Sequence, residues 1–123
     1  MLLKKLIKNL SPKIGETQIN GICFDSRKVK KGDLFIAIKG EKHNGNKFVS
    51  QAVTKGVKVV IHSEKIKKNT KTKFIKFADT RDLLAKISSK FFKNKPKNII
   101  AVTGTNGKTS ISDFFYQIFK LQN

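Results

Sequence analysis

The stretch Ile99-Ile-Ala-Val-Thr-Gly-Thr-Asn-Gly-Lys-Thr-Ser110 limits the fold of this chain more than any other. Its apolar, β-branched start reads as a buried-type strand over 98–103. Gly104 and Gly107 let the backbone take positive φ. From about Thr109 the apolar residues Ile111, Phe114, Phe115, Ile118 and Phe119 recur at helical spacing. Strand, glycine loop and helix in that order make a βα unit, so the chain must build an α/β fold. The loop also carries chemistry. The two glycines bring several backbone N–H groups to bear on one point, and the positive end of the helix dipole adds to them. That point suits a phosphate, with Lys108 on the β/γ-phosphates and the Thr109 hydroxyl on Mg²⁺. Val102 stands where the general pattern G-x-x-x-x-G-K-[ST] has its first glycine. The competing reading, an Asn106-Gly107 hairpin turn, leaves the helical pattern and the Lys-Thr pair unexplained.

Upstream, apolar runs alternate with turn signals. Strands are predicted over 19–24, 34–38, 57–61 and 74–77, and a helix from Asn46 with Gly56 as its C-terminal cap. A second helix, capped by Asp79 or Thr80, carries Leu83, Leu84, Ile87, Phe91 and Phe92 on its apolar face. The first ten residues, with lysines and leucines interleaved, read as a short amphipathic helix. Lys93-Asn94-Lys95-Pro96-Lys97 breaks the pattern. The expected organisation is therefore a small α/β domain over 1–94, then from 95 to 123 the first strand–loop–helix of a second, truncated α/β domain. One βα unit cannot bury both faces of its strand, so the sequence reads as cut.

Length and charge bound the function. At 123 residues the chain is too short for a complete multidomain enzyme. A net charge of +19 points to an anionic partner, and a basic nucleic-acid-binding module is one alternative. Against it, all but two of the 27 basic residues are lysine, the exceptions being Arg27 and Arg81, whereas base and phosphate recognition favours the arginine fork. Lys, Ile, Asn and Phe are all read from A/T-rich codons, so much of the charge reflects composition. No specific nucleic-acid partner is expected. No apolar run reaches the ~18 residues of a membrane span, and no membrane insertion is expected. A single cysteine excludes an internal disulfide and suits a reducing compartment.

Thr103-Gly-Thr-Asn-Gly-Lys-Thr109 after an apolar strand resembles the ATP loop of the Mur ligases, cytoplasmic enzymes that attach amino acids to UDP-N-acetylmuramic acid in peptidoglycan synthesis. That loop also departs from the general pattern at the first glycine. Phe24-Asp-Ser-Arg-Lys-Val-Lys-Lys-Gly-Asp-Leu-Phe-Ile-Ala-Ile-Lys-Gly40 resembles the family's D-S-R-x-V-x-x-G-D-L-F-x-A-x-x-G block, and Asn44-Gly-Asn-Lys-Phe48 its D-G-H-x-F segment. The Asp-Ser-Arg block belongs to the branches adding the third residue and the terminal dipeptide. Thr105-Asn106 is more similar to the third-residue branch, with the dipeptide-adding branch as alternative.

The resemblance implies a small N-terminal substrate domain followed by the start of a central ATPase domain. It implies ATP-dependent amide formation through an acyl phosphate, with ATP and Mg²⁺ as cofactors and a UDP-N-acetylmuramoyl-peptide as substrate. Lys108 is the implied catalytic residue, residues 104–110 the ATP cradle, and Thr109 the metal-contacting residue. Ser26, with the backbone around Phe24, would hold the uridine diphosphate, and the loop Glu41-Lys42-His43 would lie beside the uracil. Asn44 and Asn46 replace the family's usual Asp and His. The family's carbamylated lysine, acidic or histidine Mg²⁺ ligands and amino-acid pocket have no counterpart in these residues, so the chain is not expected to catalyse alone. A monomer is expected.

Other single residues have plainer readings. Arg27 can pair with Asp25 or Asp33 across a simple turn. His43 and His62 lack a metal-ligand partner at useful spacing. Cys23 is expected to be buried and unreactive.

Overall fold

A computed structural model describes residues 1–40, 43–66, 71–94 and 96–122. It divides into two compact units, Met1–Lys93 and Asn94–Asn123.

The first unit is built on four short parallel strands: β1 (Ile22–Cys23), β2 (Leu34–Ile36), β3 (Val59–His62) and β4 (Lys73–Lys76). They form one sheet in the order β1-β2-β3-β4, with Ile22 beside Leu34, Leu34 beside Val59 and Val59 beside Lys73. Side chains alternate between the faces. Leu34, Ile36, Val59 and Ile61 pack on one face with Leu3, Leu6, Ile7 and Ile19, and with Leu83 and Ile87 of helix α3 (Thr80–Phe91). Phe35, Ala37 and Val60 pack on the other with Val29, Val57, and Val49 and Ala52 of helix α2 (Val49–Thr54). Burial on both faces explains why β2 and β3 read as continuous apolar runs instead of alternating ones. Each large aliphatic or aromatic side chain so buried contributes roughly 1.5–3 kcal/mol.

The connections explain the strand order. β1 to β2 passes Val29, β2 to β3 passes α2, and β3 to β4 passes Ile66, and all three pack on the same face. Successive right-handed crossovers between neighbouring parallel strands place every connection on one side. The opposite face is left for the N-terminal segment and α3. Gly56, at φ +84°, ends α2 where an L side chain would be strained, and its N–H returns to the Val53 carbonyl at 2.9 Å. Asp79 caps α3, its Oδ1 accepting from the N–H groups of Arg81 (3.0 Å) and Asp82 (2.9 Å).

Several sequence expectations need correction. The first ten residues form only a 3₁₀ turn, Leu3–Lys5, because tertiary pairing draws their backbone away. The Leu3 N–H donates to Thr17 O at 3.0 Å and the Ile19 N–H to Met1 O at 2.9 Å. Leu3 and Leu6 are buried all the same. A one-turn helix, α1 (Pro12–Gly15), follows with proline in its first turn, where its missing N–H is harmless. The strand predicted over 19–24 shrinks to β1, since Ile19 is engaged by Met1. The strand predicted over 74–77 begins one residue earlier, Lys73 opening β4. Cys23 is half-buried, its thiol donating to Asp25 O at 3.1 Å. Phe92 is exposed beyond the end of α3.

The second unit holds helix α4 (Lys108–Leu121). Residues 98–103 form no strand, contrary to the pattern that predicts one. Ile99 is 76% exposed and Ile100 58%. A strand exists through its ladder, and among the described residues nothing pairs with this segment.

Candidate functional site

A cleft of about 810 Å³ opens at the carboxyl ends of β1 and β2 in the first unit. Parallel sheets place ligands there, because backbone and turn groups emerge together at that edge. One wall is the turn after β1, which carries Phe24, Asp25, Ser26 and Arg27. The turn is tied down from several sides. Asp25 Oδ1 accepts from the Arg27 N–H and Nε, each at 3.0 Å, and Oδ2 from Nη2 at 2.8 Å. From α2's end the Lys55 ammonium donates to Ser26 O at 2.9 Å and Arg27 O at 2.7 Å. The Ser26 hydroxyl, nearly buried, donates to Gln51 Oε1 at 2.7 Å. Arg27 thus pairs with Asp25 and not with Asp33. Its guanidinium holds the Asp25 carboxyl down to about 2, and the same bond raises the arginine's own value.

The opposite wall is the loop after β2, with Ile38, Gly40, His43 and Gly45, then Phe48. Gly45 is required for space: a Cβ there would lie 2.6 Å from Ile38 O. The Gly40 N–H donates to His43 O at 2.9 Å. Asn44 Oδ1 accepts from Asn46 N (3.0 Å) and Nδ2 (2.8 Å), while its own amide donates to Glu64 at 2.9 Å. The Asn46 amide reaches Ser63 Oγ at 3.3 Å. These two asparagines frame the loop against the end of β3. The Glu64 carboxyl is lowered, first by the Asn44 hydrogen bond and then by Lys39 at 3.0 Å.

Of the residues singled out from sequence, Phe24, Ser26 and His43 line this cleft together. Glu41 and Lys42 lie outside the described residues. Sequence reasoning missed Ile38, Phe48 and Gln51 as lining residues, and also Arg81, which comes from the first turn of α3. Phe24 (61% exposed) and Phe48 (45%) present bare rings to the opening. The scarcity of arginine was a signal that could have marked Arg81.

His62 is buried, its Nδ1 hydrogen-bonded to Glu64 O at 2.8 Å. It is a core residue, and its ring meets Phe74 edge-on at 6.3 Å. Among the described residues no group of three or more His, Cys, Asp or Glu side chains could hold a metal ion.

The loop of the second unit has its own geometry. Gly104 sits at φ +146° and Gly107 at φ +74°, and no atom lies within 4 Å of where a Gly107 Cβ would stand. Gly107 is the N-cap of α4 and provides no side-chain cap, so the first-turn N–H groups are open to an anion. The Lys108 ammonium folds back onto Gly104 O and, at 3.2 Å, Thr105 O. Thr109 and Ser110 are exposed. An open glycine cradle, a helix N-terminus and a lysine over the loop fit a phosphate group.

Comparison with known proteins gives the family of the first unit. The profile of the Mur ligase family, catalytic domain, matches residues 18–92, more than half of the chain. The match lies within the first unit and stops short of the 104–110 loop. The chain is 40% identical over 117 residues to the UDP-N-acetylmuramoyl-L-alanyl-D-glutamate–2,6-diaminopimelate ligase of Clostridium perfringens, covering 89% of the chain and 24% of that protein. It is 44% identical to the enzyme of the same name from Clostridioides difficile, covering 84% of the chain and 22% of that protein. The chain therefore spans about a quarter of the length of these relatives. Among solved structures it resembles a MurF ligase from Thermotoga maritima in complex with ADP, with TM-score 0.64 and 27% identity over 85% of this chain and 23% of that one. It also resembles a D-alanyl-D-alanyl-adding ligase from Acinetobacter baumannii, with TM-score 0.52 and 37% identity over 59% of this chain and 16% of that one. The two sequence relatives named are thus 2,6-diaminopimelate ligases, and the two solved structures a MurF ligase and a D-alanyl-D-alanyl ligase. With an α/β unit whose cleft is walled by the Asp-Ser-Arg turn, and a profile match over most of that unit, the chain belongs to the Mur ligase family.

Proposed function

We propose that the chain carries the binding elements of an ATP-dependent, amide-forming ligase that adds the third amino acid to UDP-N-acetylmuramoyl-dipeptide in the cytoplasm. The observation that carries this reading is the convergence of the Phe24–Arg27 turn and the His43–Gly45 loop on one cleft at the carboxyl edge of the sheet. The first unit is the substrate-binding domain. The exposed Phe24 and Phe48 rings offer flat apolar surface for the uracil and ribose, and His43 lines the same cleft. Glu41 and Lys42 belong to this loop in sequence and are proposed beside the uracil on the family resemblance alone. Ser26 serves the diphosphate. Turning the Gln51 amide over makes it a donor to Ser26 Oγ and frees the hydroxyl proton for a phosphate oxygen.

In the second unit, residues 104–110 hold the ATP phosphates through their N–H groups. Lys108 leaves the loop carbonyls to lie against phosphoryl oxygens, and the Thr109 hydroxyl contacts Mg²⁺. Bound ATP supplies the phosphoryl group that activates the carboxylate to be joined. The part assigned to these residues is to hold the two nucleotides.

Calorimetric titration of the folded chain with UDP-N-acetylmuramoyl-dipeptide, without Mg²⁺, tests the reading. Binding is expected, weakened about tenfold by Ser26→Ala through loss of one charge-assisted hydrogen bond. A folded sample giving no heat with any UDP-muramoyl species overturns it.

A further inference from the structure

Both arginines of a chain whose other basic residues are all lysine line the same cleft. A guanidinium differs from an ammonium in offering a flat fork of donors that matches two oxygens of one anion. The two forks are in different states. That of Arg27 is occupied by both oxygens of Asp25. That of Arg81 makes no hydrogen bond or ion pair among the described residues, and its Nη2 lies 3.9 Å from where a Gly40 Cβ would stand. The nearby ammonium of Lys39 is neutralised by Glu64 at 3.0 Å.

The base of Arg81 is rigid. The buried Thr80 hydroxyl donates to Ala37 O at 3.1 Å, fixing the first turn of α3 against the end of β2. Asp79 accepts the Arg81 N–H, so its carboxylate is held at the helix cap. A fixed backbone therefore presents an open fork at the mouth of the cleft.

We infer that Arg81 is the charged anion-binding residue of the cleft, beside the Ser26 hydroxyl, and takes two oxygens of the phosphates of a nucleoside diphosphate, while Arg27 is a positioning residue for the 25–27 turn. The inference rests on the uridine-diphosphate reading of the cleft. A ligand with a flat apolar end and a charged end matches the two exposed rings and the single open fork.

NMR shift titrations of the whole chain with uridine, UMP and UDP decide it, comparing wild type with Arg81→Gln and Arg81→Lys. Wild type is expected to prefer UDP to uridine. Arg81→Gln lowers UDP affinity tenfold or more and leaves uridine affinity within twofold, and Arg81→Lys falls between, because a point charge replaces the fork. Unchanged UDP affinity in Arg81→Gln overturns the assignment. So does an equal loss of uridine and UDP, which would make Arg81 a residue that shapes the cleft. Arg81→Lys equal to wild type overturns the forked contact. Failure of the parent reading is separate: wild type then binds neither uridine nor UDP before any variant is compared.

Discussion

Asp25 accepts three hydrogen bonds from one neighbour, Arg27, two residues along the chain. Its carboxyl is lowered from 3.8 to about 2, chiefly by the arginine side chain. A folded value below the unfolded one means that the pair contributes stability at pH above about 4, lost as pH falls through about 2. Carbon-detected NMR titration should place the Asp25 midpoint near 2, and Arg27→Gln should return it toward 3.8. This pairing was legible in the sequence, because Asp and Arg two apart in a turn meet without help from the rest of the fold. Ser26 was legible through its motif. Arg81, Gln51 and Phe48 were not, since each arrives from a different helix or turn and only packing brings it to the cleft. His43 illustrates the middle case, its loop being readable but its framing by Asn44, Asn46 and Ser63 depending on β3.

Helix α3 depends on its first turn. Asp79 satisfies two backbone N–H groups there, and Asp82 adds negative charge where the helix dipole favours it. Asp82 also pairs with Lys86 at 2.6 Å, which raises the lysine's value. Asp79→Ala should lower stability by about 1 kcal/mol in urea unfolding, with little change in the slope of the transition. The cap, α2 with its Gly56 terminus, and the central strands β2 and β3 followed directly from spacing. The elements that did not were those whose fate depends on partners. The N-terminal lysine–leucine stretch has helical spacing, yet backbone pairing with residues 17–19 outweighs a helix of ten residues, which is marginal alone. The 98–103 run has strand composition but, among the described residues, no strand beside it.

At the scale of the molecule, burial is concentrated in one unit. β2 and β3 are fully enclosed, whereas no residue of α4 is buried. Hydrogen exchange should therefore find α4 amides exchanging at least about a hundredfold faster than those of β3. The lysine excess also looks different once its contacts are known. The ammonium groups of Lys55, Lys58, Lys73 and Lys90 donate to backbone carbonyls of Ser26, Gln18, Lys13 and Leu6, so part of the charge fastens distant segments of the first unit to one another. The sequential order of the sheet has a consequence for biogenesis. Each strand pairs with the one synthesised just before it, so the sheet can grow in step with its emergence from the ribosome. The face that the connections leave bare is shared by the N-terminal segment and α3, and it is complete only when α3 reaches back to Leu6 through Lys90 across 84 residues. A nascent chain is thus a half-covered sheet, exposed to chaperones and to aggregation, until residue 91 is free to dock.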